Sequence, residues 1–147
     1  MPQALTKNLI HLVFSTKLRQ PLIDAATKPK LHAYLSGIFD NFKSHALRIG
    51  GTDNHVHILF NLSKTRALST IVQEVKQDSS KWMKQYEPEF YWQSGYGAFS
   101  IGESAIDLLC AYIDGQEEHH RETTFEEEFR KLCAQYNVDL NEKYAWD

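Results

Sequence analysis

His55-Val56-His57-Ile58-Leu59-Phe60 alternates strictly between two kinds of side chain, the pattern of a β-strand. Successive strand residues leave opposite faces, so Val56, Ile58 and Phe60 share one face while His55 and His57 share the other. The two imidazoles then stand roughly 7 Å apart along the strand. The apolar trio faces the core, which puts the histidines on what should be the open face of a sheet. Two adjacent imidazoles suit a divalent cation and leave coordination positions for a substrate oxygen. A bare His-x-His is equally compatible with two solvent-facing histidines on a half-exposed strand. The strict apolar alternation opposite them fixes only where they point.

Outward from this strand the same reasoning builds the rest of the chain. Gly50-Gly51 separates the run Ala46 to Ile49 from the run Asn54 to Leu62, giving two strands around a turn. Upstream, Asn8 to Lys17 alternates with Ile10, Leu12 and Phe14 on one side and His11, Val13 and Ser15 on the other, another strand. Pro29 stands where a helix can begin, and Leu31, Leu35, Ile38, Phe39 and Phe42 follow at helical spacing. Leu68, Ile71, Val72, Val75 and Trp82 mark a second long helix whose outer face bears Lys76, Lys81 and Lys84.

Tyr91 to Ile101 is aromatic and glycine-rich, and reads as a loop leading into a fourth strand. Ser104 with Asp107 has the form of a capping box, as does Thr124 with Glu127, so each predicts the start of a helix. The last helix should end near Asn137. The order β-α-β-β-α-β-α, with a short final helix, predicts an α+β fold. An antiparallel sheet of ferredoxin-like or RRM-like type would carry its helices packed on one face, with a C-terminal helix added. No repeat or linker divides the chain, so residues 1–147 are expected to form a single domain.

Composition narrows the class. A hydrophobic content of 42% is that of a water-soluble globular protein, and no apolar run approaches a membrane span of about 18 residues. With no signal-peptide pattern, a cytoplasmic protein is expected. Cys110 and Cys133 lack metal-ligand spacing and read as buried thiols. The net charge of −3 is unevenly spread: residues 1–86 hold 12 Lys/Arg against 5 Asp/Glu, and residues 87–147 hold 4 against 14. The basic first part can offer contacts to phosphates.

On the helix opened by Ser104, Ile106, Leu109, Cys110 and Ile113 form a buried stripe, while Tyr112 and Gln116 lie one turn apart on its shoulder. A phenol placed there can direct its hydroxyl at a neighbouring surface. His119 and His120 follow, and His120, nearest the Gln116 side, competes with Gln116 as a third ligand beside His55 and His57.

The His55-Val56-His57 motif followed by Tyr112-x-x-x-Gln116 closely resembles the HUH single-tyrosine transposases, the insertion-sequence-200-like family. The likeness extends through His11-Leu12-Val13-Phe14-Ser15-Thr16-Lys17, Ser79-Ser80-Lys81-Trp82 and Trp92-Gln93-Ser94-Gly95-Tyr96-Gly97, and on to His119-His120 and Thr124-Phe125. Asn54 departs from the Asp that often precedes the first histidine.

The resemblance implies that His55, His57 and Gln116 hold Mg²⁺ or Mn²⁺ and that Tyr112 is the nucleophile. It implies cleavage and rejoining of single-stranded DNA at hairpin-marked ends through a 5′-phosphotyrosine intermediate. It further implies a homodimer in which the tyrosine helix of one subunit completes the histidine pair of the other. Arg48, Lys76, Lys81 and Lys84 are candidate phosphate contacts, although a solvated helix face explains the lysines equally well. A non-catalytic single-strand-binding module and a metal-dependent phosphoesterase are the alternatives. Neither needs Tyr112.

Overall fold

The computed structural model describes residues 2–147. Strands β1 (Leu9–Ser15), β2 (Ala46–Gly51), β3 (His55–Asn61) and β4 (Gly97–Ile101) form one antiparallel sheet in the order β2-β3-β1-β4. Helix α1 (Lys28–Asn41) links β1 to β2, and α2 (Leu68–Met83) links β3 to β4. This is the expected split β-α-β arrangement, in an α+β fold.

Register carries the alternation across the sheet. Ile10 pairs with Phe60, Leu12 with Ile58 and Phe14 with Val56, so these six apolar residues of β1 and β3 fall on one face. There they meet Leu31, Leu35, Ile38 and Phe39 of α1 and Ile71, Val72, Val75 and Met83 of α2, forming the main core. Each large apolar side chain buried there contributes on the order of 1.5–3 kcal/mol.

The opposite face is where expectation and structure part. It is covered, not open. Helices α3 (Ile106–Asp114), α4 (Gln116–His119) and α5 (Phe125–Gln135) return across it after β4. Ile113 of α3 packs on Leu9 and Leu59. Phe125, Phe129, Leu132 and Cys133 of α5 pack on Val13 and Phe99. Two glycines in the strands make room for this layer. A Cβ on Gly50 would lie 2.5 Å from the Ile113 carbonyl oxygen, and one on Gly97 would lie 2.7 Å from the Phe129 ring. Gly50, expected to mark a turn, accordingly sits inside β2 opposite His57.

The two capping signals have different fates. Thr124 caps α5, its hydroxyl oxygen accepting the Glu127 amide at 3.1 Å. Ser104 caps nothing: the chain enters α3 through a 3-10 turn at Glu103–Ala105, with no side-chain cap at either step. The helix expected to run continuously from Tyr112 to His120 is instead interrupted at Gly115, between α3 and α4. No helix among the described residues is long and apolar enough to cross a membrane.

Candidate active site

The centre is built from β3 and β1 below and from α3, α4 and α5 above. His55 and His57 project from the covered face of β3 with no solvent exposure, and their rings lie 5.2 Å apart between centroids. His11 joins them from β1, its Nε2 lying 2.8 Å from His57 Nδ1. That contact follows from register. His57 is opposite Val13 and Leu59 is opposite His11, so all four side chains share the covered face.

Side chains of the upper layer close the cluster. The Gln116 amide turns its Oε1 to within 2.9 Å of His55 Nε2, and its Nε2 donates to Glu128 Oε2 at 3.1 Å. Glu128, on α5, is only 2% exposed. Its Oε1 lies 3.0 Å from His57 Nε2, 3.1 Å from His120 Nε2 and 3.5 Å from His55 Nε2. The Tyr112 hydroxyl donates to Glu128 Oε2. Asn54, the departure before the histidine pair, places its Oδ1 2.8 Å from His55 Nδ1 and so helps orient that ring.

Burial sets the electrostatics. It pulls both His11 and His55 down to about 3, with the neighbouring His57 adding to the effect. Both rings are therefore neutral near pH 7, with lone pairs available to a cation. Burial alone would raise the Glu128 carboxyl, but the surrounding His120, His57 and Tyr112 side chains hold it well below the ordinary carboxylate range. Burial and the Glu128 carboxylate together push the Tyr112 phenol up from its ordinary value.

The fit to a metal can be tested on these residues. One nitrogen each from His55, His57 and His120 and one Glu128 oxygen all lie within 4.8 Å of one another. His120 Nε2 is buried yet has no aligned hydrogen-bond partner, an orphan that a metal bond would satisfy. The cluster could hold a divalent ion. Beside it lies a cavity of about 390 Å³, whose lining includes His11, Leu108, Tyr112, His119 and Glu128. That volume falls within the range of ligand pockets.

The four residues expected from sequence, His55, His57, Tyr112 and Gln116, thus meet around one carboxylate. The basic candidates do not join them. Lys76 donates to the Gln93, Ser94 and Gly95 carbonyls, and Lys84 to the Phe90 carbonyl. Arg48 pairs with Asp114 at 3.3 Å, whereas Lys81 is exposed. Sequence reasoning missed Glu128 and His11. A signal existed for each. Glu128 stands three residues after Phe125 and four before Leu132, on the apolar stripe of α5, and His11 shares the alternation of Val13 and Ser15.

Comparison with known proteins places the chain. Residues 4–116 match the family model described as "Transposase IS200 like", a span that includes His55, His57, Tyr112 and Gln116 but ends before His120 and Glu128. No curated protein matches. Among solved structures, a transposase candidate from Deinococcus radiodurans R1 is 18% identical, with a TM-score of 0.64 over 79% of this chain and 95% of that one. A REP-associated tyrosine transposase, solved bound to a REP hairpin, is 12% identical, with a TM-score of 0.58 over 77% of this chain and 68% of that one. At such identities the structural likeness is one of fold. The family model, which covers most of the chain, carries the assignment: this protein belongs to the IS200-like transposases.

Proposed function

We propose that the protein cleaves and rejoins single-stranded DNA at hairpin-marked ends, with Tyr112 as the nucleophile. The observation that carries this reading is the meeting of the Tyr112 hydroxyl, His57 and Gln116 on the two oxygens of Glu128, within one chain. In the forward step the Tyr112 oxygen bonds to phosphorus and the bond from phosphorus to the 3′ oxygen breaks. The phenol gives up its proton and the leaving 3′ oxygen takes one up, so the step is proton-neutral. It yields a 5′-phosphotyrosine and a free 3′-hydroxyl. Rejoining is the same exchange run with another strand's 3′-hydroxyl, and it needs no ATP because one phosphodiester bond replaces another.

By the family resemblance, His55, His57 and Gln116 would hold Mg²⁺ or Mn²⁺, with His120 competing for the third position. When bound, the ion supplies Lewis-acid neutralisation of the attacked phosphate. The chain's own residues do the remainder. Gln116 bridges His55 and Glu128 and keeps both oriented, while the Glu128 carboxylate fixes the direction of the phenol. The imidazoles carry no solvent exposure, so the cavity beside Tyr112 is the approach for a phosphate, and α4 and α5 must shift to admit it. The hairpin-bound relative of the same fold supports hairpin DNA as the substrate class.

Incubation with labelled hairpin DNA and a divalent cation tests the reading. A denaturation-resistant protein–DNA adduct is expected, and Tyr112→Phe should remove it. Hydrolysed ends without an adduct would establish a phosphoesterase instead, and binding without cleavage a non-catalytic module. The same assay addresses the homodimer. Tyr112→Phe and His57→Ala are each expected to be inactive alone. Adduct regained on mixing them means that tyrosine helices are exchanged between subunits; no recovery means that each tyrosine serves its own histidines, the arrangement favoured by the contacts within this chain.

A further inference from the structure

Glu128 divides its two oxygens between two tasks. Oε2 receives the Tyr112 hydroxyl and the Gln116 amide. Oε1 faces three imidazole Nε2 atoms, those of His57, His120 and His55, at 3.0, 3.1 and 3.5 Å. Resting on the reading of this cluster as a metal centre, we propose that the ion is held by His55, His57, His120 and Glu128, and that the centre selects a transition-metal dication of the Mn²⁺ class over Mg²⁺.

Three arguments lead there. The first is donor chemistry. Mg²⁺ takes oxygen ligands in near-ideal octahedral geometry and keeps several of its waters, whereas imidazole nitrogen suits transition dications. Three of the four donors that converge here are nitrogens.

The second is charge. An anion that is 2% exposed needs a compensating partner, and the basic side chains that face it, among the described residues, are all imidazoles, with no Lys or Arg. A dication among them balances the carboxylate.

The third is the orphaned His120 Nε2, buried, aimed at Glu128 Oε1 and without an aligned hydrogen bond. Leaving such a nitrogen unpaired costs on the order of 1–3 kcal/mol. Gln116 becomes an orienting residue in this arrangement, its amide already committed to His55 and Glu128.

Titration calorimetry on the full chain, stripped of metal, tests the proposal with MnCl₂ and MgCl₂ as probes. Mn²⁺ should bind at least about a hundredfold more tightly than Mg²⁺. Glu128→Gln and His120→Ala should each weaken Mn²⁺ by tenfold or more, on the order of the losses seen when metal-site residues are removed. Melting in chelator checks folding, and His120→Ala, just past the end of the short helix α4, serves if the α5 variant fails to fold. Mg²⁺ binding within tenfold of Mn²⁺, or undiminished Mn²⁺ affinity in a folded Glu128→Gln or His120→Ala protein, overturns it. The hairpin assay separates this from the strand-transfer reading. Mn²⁺ binding that needs Glu128, with no adduct from the wild type, removes strand transfer and leaves the centre intact. Adduct formation with Mg²⁺ that survives Glu128→Gln does the reverse.

Discussion

Lys76 shows how a side chain that looks like a phosphate contact can have another task. Its ammonium donates to three consecutive carbonyls, Gln93 to Gly95, and burial pulls its pKa down to about 8. Lys76→Met should therefore cost stability, about 1–3 kcal/mol in chemical denaturation for the carbonyls left unpaired, and leave the salt dependence of DNA binding unchanged. Exposed Lys81 is the opposite case: Lys81→Ala should leave stability alone, and the salt slope should fall by about one if it touches a phosphate. Gln116→Ala separates the two ligand sets: a marked loss of Mn²⁺ affinity assigns the amide to the ion, and near-wild-type affinity leaves the position to His120. At this scale the histidine pair and the tyrosine were legible because strand alternation and helical spacing fix direction. Glu128 was not, because a glutamate in the run Glu126-Glu127-Glu128 looks like solvated surface until its place on the apolar stripe is weighed.

Among the elements, the two capping signals give a matched experiment. Thr124→Ala removes an observed cap and should destabilise the protein by about 1 kcal/mol, whereas Ser104→Ala removes none and should stay within about 0.5 kcal/mol, both read by denaturant midpoint. The sequence motif is similar in the two places. What differs is the approach of the chain: extended backbone at Thr124 lets the hydroxyl turn back to the amide, while the 3-10 turn at Glu103–Ala105 consumes that geometry. Strands and long helices were legible for the same reason that Ser104 misled: hydrophobic period is averaged over many residues, but a cap depends on one backbone angle.

For the whole molecule, the βαββαβ order and the antiparallel sheet could be read from periodicity. The covering of the second face could not. The stripes of α3 and α5 say that each buries a side, and nothing local says that both bury it on the histidines' face. His32 on α1 has a consequence at this scale. It is held down to about 4, by burial first and then by Lys28, against an ordinary value of 6.5. A histidine depressed in the folded state is protonated first in the unfolded chain, so stability should fall as pH drops from about 6.5 towards 4, by up to about 1.4 kcal/mol per pH unit for this group. Thermal unfolding in chelator should show that decline, and His32→Leu, which removes one titrating ring, should lessen it and leave the share that belongs to His11 and His55. An equal decline in the variant would assign the acid sensitivity elsewhere.

Gly50 links these scales. Tyr112 rides on α3 one residue before Ile113, and the Ile113 carbonyl rests where a side chain at position 50 would have to stand. The height of the phenol above the imidazoles is thus metered by a hydrogen atom on the neighbouring strand. Even alanine there would act as a shim, lifting the Tyr112 phenol off its partners while the chemical identity of every residue of the centre stayed the same.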